Sequence, residues 1–399
     1  MGHLACAYLL SAGFIAAAAA QVPDGAIFVP LIRNEALTAY YAELAVGTPP
    51  QSAFLKIDTG SPTYSLQAKS NPACERADRP CDLFGSFDNT TSSTSSYRGT
   101  GFSDQLSTHG SGDYLEDTVT IGGVTTENLY FGYLLRYGFP ERAPVPAATI
   151  LGLSLPCNAT TCGGDGPYML QQLYDAGTID HMAVSIYHGR DEVNATGSMV
   201  LGGYYDKAKV GGELFTVEMT NPFNSTLSNG QTNSANVTAL EVNVDGNVTT
   251  RLFGEKDVGV PVLLDNGVAN WYLPSSITDL IYPALGGIIG GFNPSHQAQP
   301  ISCDNLDPNI AKGSVTVEFG TSGSIEVPLS ALVTKFADDN CVTFVYTRGE
   351  TEINIFGDPF LRSVYSIFDQ QRLTVTMARV RYTDEVELVA IPEGGFRAQ

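Results

Sequence analysis

The chain has 399 residues, enough for two domains of ordinary size, and its 41 Gly and 22 Pro with short apolar runs favour an all-β fold over a helical one. Its formal net charge of -21, from 42 acidic and 21 basic residues, argues against nucleic acid and anionic membranes as partners. An acidic surface of this kind suits acidic surroundings, where protonation relieves self-repulsion, or serves only to keep an exported protein soluble.

The N-terminus has the composition of a leader. Residues 1–20 contain no Lys, Arg, Asp or Glu and are almost wholly apolar from Leu4 to Ala20. We interpret residues 1–20 as a secretory signal peptide cut near Ala20, although the usual positive start is missing; a retained membrane anchor is the alternative. No later apolar run approaches the ~20 residues that span a bilayer. We therefore expect a secreted, extracellular product without a membrane anchor.

An acidic turn follows the first strongly apolar strand. Asp58 ends this strand and is followed by Thr59, Gly60 and Ser61, where the glycine permits a tight backbone turn. Gly152 closes an apolar triplet 94 residues after Asp58. One such turn, taken alone, is most often an ordinary acidic loop.

The same pattern occurs again in the second half of the chain. Asp265 ends an apolar strand and is followed by Asn266, Gly267 and Val268. Gly357 closes an apolar triplet 92 residues after Asp265. The matched spacing indicates an internal duplication and predicts two lobes related by a pseudo-twofold axis, which would bring the two acids face to face.

Two carboxyl groups in contact have a characteristic chemistry. They cannot both ionise cheaply, so one keeps a proton while the other acts as a base, and the pair titrates as a unit. Such a pair can deprotonate a water molecule for attack on an amide carbonyl and protonate the carbonyl oxygen in the same step. The duplication therefore predicts Asp58 and Asp265 as catalytic residues, supported by the neighbouring Thr59, Gly60, Ser61, Asn266 and Gly267.

The cysteines and sequons fit an exported protein. Apart from Cys6 in the leader, six cysteines remain, an even number that suits disulfides in an oxidising compartment. We group them as Cys74–Cys81, Cys157–Cys162 and Cys303–Cys341. A zinc site is the alternative, but the chain has no Cys-x-x-Cys pair and no suitably placed His, so we expect no metal. Six Asn-x-Ser/Thr sequons are candidate glycosylation sites: Asn89, Asn158, Asn194, Asn224, Asn236 and Asn247.

The remaining organisation is simple. A polar, Gly-bearing junction at residues 202–212 divides the chain into an N-terminal β lobe, residues 21–205, and a C-terminal β lobe, residues 206–399. Residues 89–96 read as a Ser/Thr-rich surface loop and residues 221–250 as a second exposed excursion. Three short stretches are helix candidates: Tyr168 to Ala176, Ser275 to Leu285 and Leu329 to Phe336.

With these motifs in place, the chain resembles the pepsin-like aspartic proteases, above all secreted fungal members. The matching stretches are residues 41–51, the Asp58 motif, 87–88, 117–123, 197–203, 356–362 and 365–369, within a similarity that runs from Tyr40 to Met377. The resemblance implies a bilobal, mostly β fold with a central cleft that binds an extended peptide. It also implies disulfides at the first and third cysteine pairs, no cofactor, and a monomer.

The second motif departs from the family pattern. Ser61 resembles the family hydroxyl that hydrogen-bonds the outer oxygen of the Asp58 carboxylate, whereas Asn266 and Val268 stand where the family has hydroxyl residues. A lost hydrogen bond of about 1 to 3 kcal/mol would raise the pKa of Asp265 by about one to two units. We expect the Asn266 amide to donate across the lobes where a Thr hydroxyl otherwise would.

The flap and its surroundings depart as well. The stretch that matches the family's flap, residues 102–110, contains no Tyr, and Ser65 replaces the tryptophan that usually supports that Tyr. His109 either lines the cleft or is an exposed turn residue. Trp271, the only tryptophan, is expected to pack at the cleft wall.

These features leave three hypotheses from different classes. The first is a secreted aspartic endopeptidase with altered pH optimum and specificity. The second is the same cleft repurposed for acid catalysis on a small molecule, such as a cyclisation or dehydration. The third is a peptide-binding pseudoprotease that no longer turns over.

Overall fold

The computed structural model describes residues 22–34, 39–75, 81, 84–104, 110–136, 149–156, 167–190, 196–223, 230–255, 257–287, 300–335, 340–349 and 352–397. The predicted signal peptide, His109, Cys157, Cys162 and three of the sequons, Asn158, Asn194 and Asn224, lie outside these ranges. Within the described ranges, no helix combines the length and the apolar character needed to cross a membrane.

Strands dominate the structure, so the prediction of an all-β fold is confirmed. The strands of the N-terminal half are Ala26–Asn34 (β1), Ala39–Val46 (β2), Gln51–Asp58 (β3), Ser65–Gln67 (β4), Ser96–Ser103 (β5), Ser111–Ile121 (β6), Val124–Arg136 (β7), Ile150–Gly152 (β8), Ala183–Tyr187 (β9), Thr196–Gly202 (β10) and Tyr204–Asp206 (β11). Those of the C-terminal half are Phe215–Glu218 (β12), Ser234–Val237 (β13), Ala239–Val244 (β14), Asn247–Leu252 (β15), Val260–Leu264 (β16), Trp271–Pro274 (β17), Pro300–Ile301 (β18), Gly313–Glu318 (β19), Ser324–Pro328 (β20), Val333–Lys335 (β21), Cys341–Thr343 (β22), Val345–Arg348 (β23), Asn354–Phe356 (β24), Val364–Asp369 (β25), Thr374–Arg379 (β26) and Leu388–Ala390 (β27).

Helices are few and short. The α-helices are Met169–Asp175 (α1), Ser275–Ile281 (α2) and Asp358–Ser363 (α3). Single 3-10 turns are formed by Pro72–Glu75, Asn89–Thr91, Lys207–Lys209, Tyr282–Leu285, Cys303–Leu306 and Leu329–Leu332. The first two predicted helices are confirmed. The third, over residues 329–336, is wrong, because β-branched Val333 and Thr334 leave the 3-10 turn in extended conformation and pair with β22.

The expectation that residues 221–250 form an exposed excursion is wrong for residues 232–244, whereas residues 245–250 are exposed. Residues 221–250 contain β13, β14 and part of β15. Leu240 and Val242 are buried while Glu241 and Asn243 between them are less so, which is the period-2 alternation of a half-buried strand.

The internal duplication is visible in the strand pairing. β3 runs parallel to β8, with Asp58 opposite Gly152, and β16 runs parallel to β24, with Leu264 opposite Phe356. The backbone that follows the first strand of each pair, at residues 62–63 and 268–270, passes close to the glycine of the second strand. A side chain at Gly152 or Gly357 would therefore collide with that backbone. The glycine that closes each apolar triplet is therefore required by close approach of the backbone.

The two halves join through one sheet. Strands β12, β26 and β25 of the C-terminal half continue, by antiparallel pairing of β25 with β9, into β9, β10, β1 and β2 of the N-terminal half. The proposed boundary between lobes, at residues 205 and 206, falls inside β11, which itself pairs with the C-terminal strand β27.

Surface features agree in part with the expectations. Cys74–Cys81 and Cys303–Cys341 are disulfide-bonded, as predicted. Asn247 is exposed beside a hairpin turn, whereas Asn89 is half-buried and its side-chain oxygen accepts a hydrogen bond from the Tyr133 hydroxyl at 3.1 Å. Asn236 is half-buried in β13. Use of any sequon stays a prediction.

One buried cation ties the C-terminal tail to the shared sheet. Lys209 is buried, and its Nζ donates to the carbonyl oxygens of Thr383 at 2.6 Å and Glu385 at 2.7 Å. The same ammonium lies 4.7 Å from the centre of the Tyr187 ring. We expect Lys209→Met to lower the free energy of unfolding, measured by urea denaturation, by about 1.5 to 3 kcal/mol, because its charged hydrogen bonds are lost and the buried carboxylate of Asp206, 3.9 Å from Nζ, loses its cation.

Lys207→Met is the matched control for this change. Lys207 lies two residues away, and its ion pair with Glu387 at 3.3 Å is more than half exposed. We expect its loss to cost at most about 1 kcal/mol. Equal effects of the two substitutions would contradict the tie assigned to Lys209.

Candidate active site

The structure brings the two predicted acids into contact. Asp58 is the last residue of β3, Asp265 directly follows β16, and their carboxyl groups are hydrogen-bonded to each other. Each carboxyl group also lies against the glycine of the other motif: a side chain at Gly60 would overlap the carboxyl group of Asp265, and one at Gly267 that of Asp58. Both glycines are therefore required by the approach of the opposite acid.

The two carboxyl groups are supported unequally. Asp58 is 5% exposed, and its Oδ1 accepts the backbone N–H groups of Gly60 at 2.9 Å and Ser61 at 3.0 Å. Asp265 is 7% exposed, and its Oδ1 accepts the N–H of Gly267 at 2.7 Å. The predicted role of the Ser61 hydroxyl is wrong, because this hydroxyl is buried with no hydrogen-bond partner among the described residues, and the backbone of Ser61 acts in its place.

This environment favours the protonated form of Asp265. Burial raises the pKa of Asp265 to about 8, and the neighbouring charge and hydrogen bond of Asp58 act in the same direction. The N–H of Gly267 and the ammonium of Lys56 oppose the rise. The expected direction of the shift is confirmed, but burial, rather than the hydroxyl missing at Val268, is its main cause.

Behind the acids, Thr59 and Asn266 link the two motifs. The Thr59 hydroxyl donates to the Leu264 carbonyl at 2.7 Å and accepts the N–H of Asn266 at 3.1 Å. The side-chain oxygen of Asn266 accepts the N–H of Thr59 at 2.8 Å. The expectation that the Asn266 amide donates across the lobes is wrong: its oxygen accepts there, and its NH₂ group faces His188 at 3.4 Å.

A family model described as eukaryotic aspartyl protease matches residues 39–380 of this chain. The chain belongs to the eukaryotic aspartyl protease family. It therefore has the bilobal pepsin-like fold and is a peptide hydrolase by family.

Fungal aspartic proteases are among the relatives of this aspartyl protease. It is 28% identical over 362 residues to the probable aspartic-type endopeptidase opsB of Aspergillus fumigatus, with 88% of this chain and 70% of that protein covered. It is 27% identical over 368 residues to the aspartic proteinase yapsin-3 of Saccharomyces cerevisiae, covering 88% and 68%. It is 29% identical over 379 residues to secreted aspartic protease 4 of Candida albicans, covering 90% and 80%.

Two residues that sequence reasoning missed also hold the site of this aspartyl protease together. Lys56, from β3, donates its Nζ to the Gly267 carbonyl at 2.9 Å, across the two motifs. Asn233 is fully buried, and its Nδ2 donates to the carbonyl oxygens of Thr59 and Leu153, both at 3.0 Å. A lysine between the apolar residues Leu55 and Ile57 was a usable signal for the first residue, whereas nothing in the sequence marked the second.

Lys56 gives a testable pH effect. Because its positive charge favours the ionised form of Asp265, Lys56→Met should raise the pKa of Asp265 further. If hydrolysis requires Asp265 protonated, the alkaline limb of the kcat/KM profile moves to higher pH. Lys56→Arg keeps the charge and should leave the limb near its wild-type position. A shift of the limb to lower pH in Lys56→Met would contradict this electrostatic role.

The flap region is described only in part. β5 and β6 form the expected antiparallel hairpin, and the rings of Phe102 and Tyr114 pack edge to face at 5.5 Å near the end of the hairpin where the connecting loop lies. Residues 105–109, including His109, lie outside the described ranges, so the missing flap Tyr stays a sequence observation.

The residues expected near the flap and at the cleft wall are buried instead. Tyr64 and Ser65 are fully buried, and the Tyr64 ring packs 5.8 Å from that of Phe131. Trp271 is fully buried against Phe356, with ring centres 4.7 Å apart. The placement of Trp271 at the cleft wall was therefore wrong, because β17 directs it into the core of the C-terminal half.

Proposed function

We propose that this protein is a secreted aspartic-type endopeptidase in which Asp58 and Asp265 activate water for peptide-bond hydrolysis. The observation that carries the proposal is the buried, hydrogen-bonded pair of carboxyl groups, one of which has a strongly raised pKa. The substrate is a peptide or protein segment in extended conformation, bound by a monomer without cofactor or metal. Secretion is supported by the leader composition and by relatives whose names describe them as secreted.

The proposed roles follow from the unequal support of the two acids. Asp265 holds the shared proton, so Asp58 carries the negative charge and accepts a proton from a water molecule between them. The water oxygen bonds to the carbonyl carbon of the scissile amide, while the proton of Asp265 passes to the carbonyl oxygen. The resulting gem-diol collapses as its C–N bond breaks, Asp58 gives its proton to the leaving amine, and Asp265 recovers a proton from a diol hydroxyl.

The neighbouring residues supply position rather than protons. The backbone N–H groups of Gly60 and Ser61 hold the Asp58 carboxylate, and the Thr59 link to Leu264 fixes the strand that precedes Asp265. Rate depends on this geometry, since a misplacement of ~1 Å can cost on the order of a hundredfold.

The purified, deglycosylated protein tests the proposal when it is incubated with denatured globin and a peptide library from about pH 2.5 to 7, with and without a statine-type inhibitor. Inhibitor-sensitive cleavage supports the endopeptidase. Tight inhibitor binding without cleavage contradicts it in favour of a peptide-binding pseudoprotease, to which the substitutions at Asn266 and Val268 point. If the protein neither cleaves peptides nor binds the inhibitor, the result favours acid catalysis on a small molecule.

A further inference from the structure

His188 is a buried residue directly behind the acid pair. It follows β9, is 1% exposed, and its Nε2 lies 3.4 Å from the side-chain nitrogen of Asn266. The Tyr40 ring packs against the imidazole edge to face at 4.9 Å. No other hydrogen bond of the Asn266 NH₂ group is present among the described residues, so His188 Nε2 is the atom placed to accept from a buried amide that would otherwise lack an acceptor.

The orientation of the Asn266 amide decides whether the link between the motifs holds. In the structure, its oxygen accepts the Thr59 N–H at 2.8 Å. If the amide turned over, its NH₂ group would face that N–H donor to donor, and the bond would be lost. An acceptor on the other side of the amide therefore selects the productive orientation.

The duplicated motif shows why this position needs a third residue. The single hydroxyl of Thr59 both donates to the Leu264 carbonyl and accepts the Asn266 N–H, so it needs no outside partner. Asn266 is the counterpart of Thr59 in the second motif, and its side chain carries the acceptor and the donor on two different atoms, about 120° apart. Only the oxygen reaches Thr59, so the NH₂ group needs a partner elsewhere.

The surroundings keep His188 an acceptor. Burial lowers the pKa of His188 to about 3, and the positive charges of Arg362 and Arg33 act in the same direction, against the carbonyl of Leu361. The ring is therefore neutral across most of the acidic range. In the tautomer with the proton on Nδ1, the Nε2 lone pair is available to the Asn266 NH₂ group, while the buried Nδ1 makes no hydrogen bond among the described residues.

We propose that His188 is a positioning residue for the acid pair: its Nε2 accepts from the Asn266 amide, sets the orientation of that amide, and so holds Asp265 in register with Asp58 through the link to Thr59. This inference rests on the proposed function, because its effect on rate presupposes hydrolysis by the pair.

A double-substitution cycle tests the inference. His188→Leu should lower kcat on globin-derived peptides by about 10- to 100-fold with KM within about twofold, since the substrate-binding surface is untouched. In the Asn266→Thr background, where a hydroxyl replaces the amide, His188→Leu should change kcat by less than about threefold. His188→Gln, which can present an oxygen acceptor, should recover most of the lost rate.

The same four proteins are also compared by their Tm, a measurement that does not require enzymatic activity. His188→Leu should lower Tm at least twice as much in the wild-type background as in the Asn266→Thr background. Equal decreases in Tm overturn the pairing of the two residues, and equal losses of kcat in both backgrounds overturn the positioning role. A wild-type protein that cleaves no substrate contradicts the proposed function instead, while the Tm cycle still decides whether His188 and Asn266 are coupled.

Discussion

Asp58→Asn is expected to reduce kcat/KM for peptide hydrolysis by on the order of 10²- to 10⁴-fold, the range associated with loss of a general base. Asparagine is nearly isosteric with aspartate, and its oxygen can still accept the N–H groups of Gly60 and Ser61. It cannot take a proton from water, however, so the rate falls while the fold stays intact. The measurement is steady-state hydrolysis of a fluorogenic peptide, with circular dichroism and Tm as checks on folding.

Asp175→Asn is the matched control for this prediction. It makes the same chemical change and removes the same charge at an exposed position at the end of α1, where its side chain accepts a hydrogen bond from Gln171 at 2.9 Å. It should leave kcat/KM within about twofold. If Asp58→Asn retained more than a tenth of the wild-type kcat/KM, the assignment of Asp58 as the base would be wrong.

The parts of the fold and site that could be predicted are those encoded locally. An apolar strand, an acid, a turn glycine and a second apolar strand recur at matched spacing, and each element follows from neighbouring residues. The parallel pairs β3 with β8 and β16 with β24 appear where this pattern places them. Because both copies obey the same rule, contact between Asp58 and Asp265 could be inferred before any coordinates.

The contacts that escaped prediction join residues far apart in the chain. The Lys56 bond to Gly267 spans 211 residues, the Asn233 bond to Thr59 spans 174, and the Asn266 contact with His188 spans 78. A sequence shows which polar groups are available but not which atoms face each other. For this reason the NH₂ group of Asn266 was predicted to bridge the two motifs, whereas its oxygen does so. The same limit explains the wrong prediction for Ser61: its backbone N–H, not its hydroxyl, donates to Asp58.

A strand whose composition resembles that of a loop was the other source of error. Residues 247–252 of β15 are all exposed, so their composition resembles that of a loop although they pair in register with β14. Sheet formation there is driven by pairing with a half-buried neighbour rather than by the burial of β15 itself. The prediction of an exposed excursion therefore holds for the exposure of β15, and it failed at β13 and β14, which are largely buried.

The raised pKa of Asp265 also predicts how stability depends on pH. In the folded protein this pKa is about 8, whereas an unfolded Asp titrates near 3.9, so between these values only the folded state holds the proton. The contribution of Asp265 to stability is therefore fully present below about pH 4 and is lost as pH rises toward 8. One proton corresponds to a slope of about 1.4 kcal/mol per pH unit in that window.

Asp265→Asn isolates this effect because asparagine is neutral at every pH. The difference in unfolding free energy between wild type and Asp265→Asn, from urea denaturation, should fall from pH 4 to 8, and taking the difference removes the contribution of the acidic groups outside the pair. Asp369→Asn is a buried control of opposite sign: although burial acts to raise it, hydrogen bonds from His181 and Arg372 hold the pKa of Asp369 below its usual value. The difference in unfolding free energy between wild type and Asp369→Asn should instead be constant above pH 4 and become smaller as the pH falls below 4. A flat difference for Asp265→Asn would mean that the acid pair shares no proton in the folded protein, and water activation by Asp58 and Asp265 would lose its physical basis.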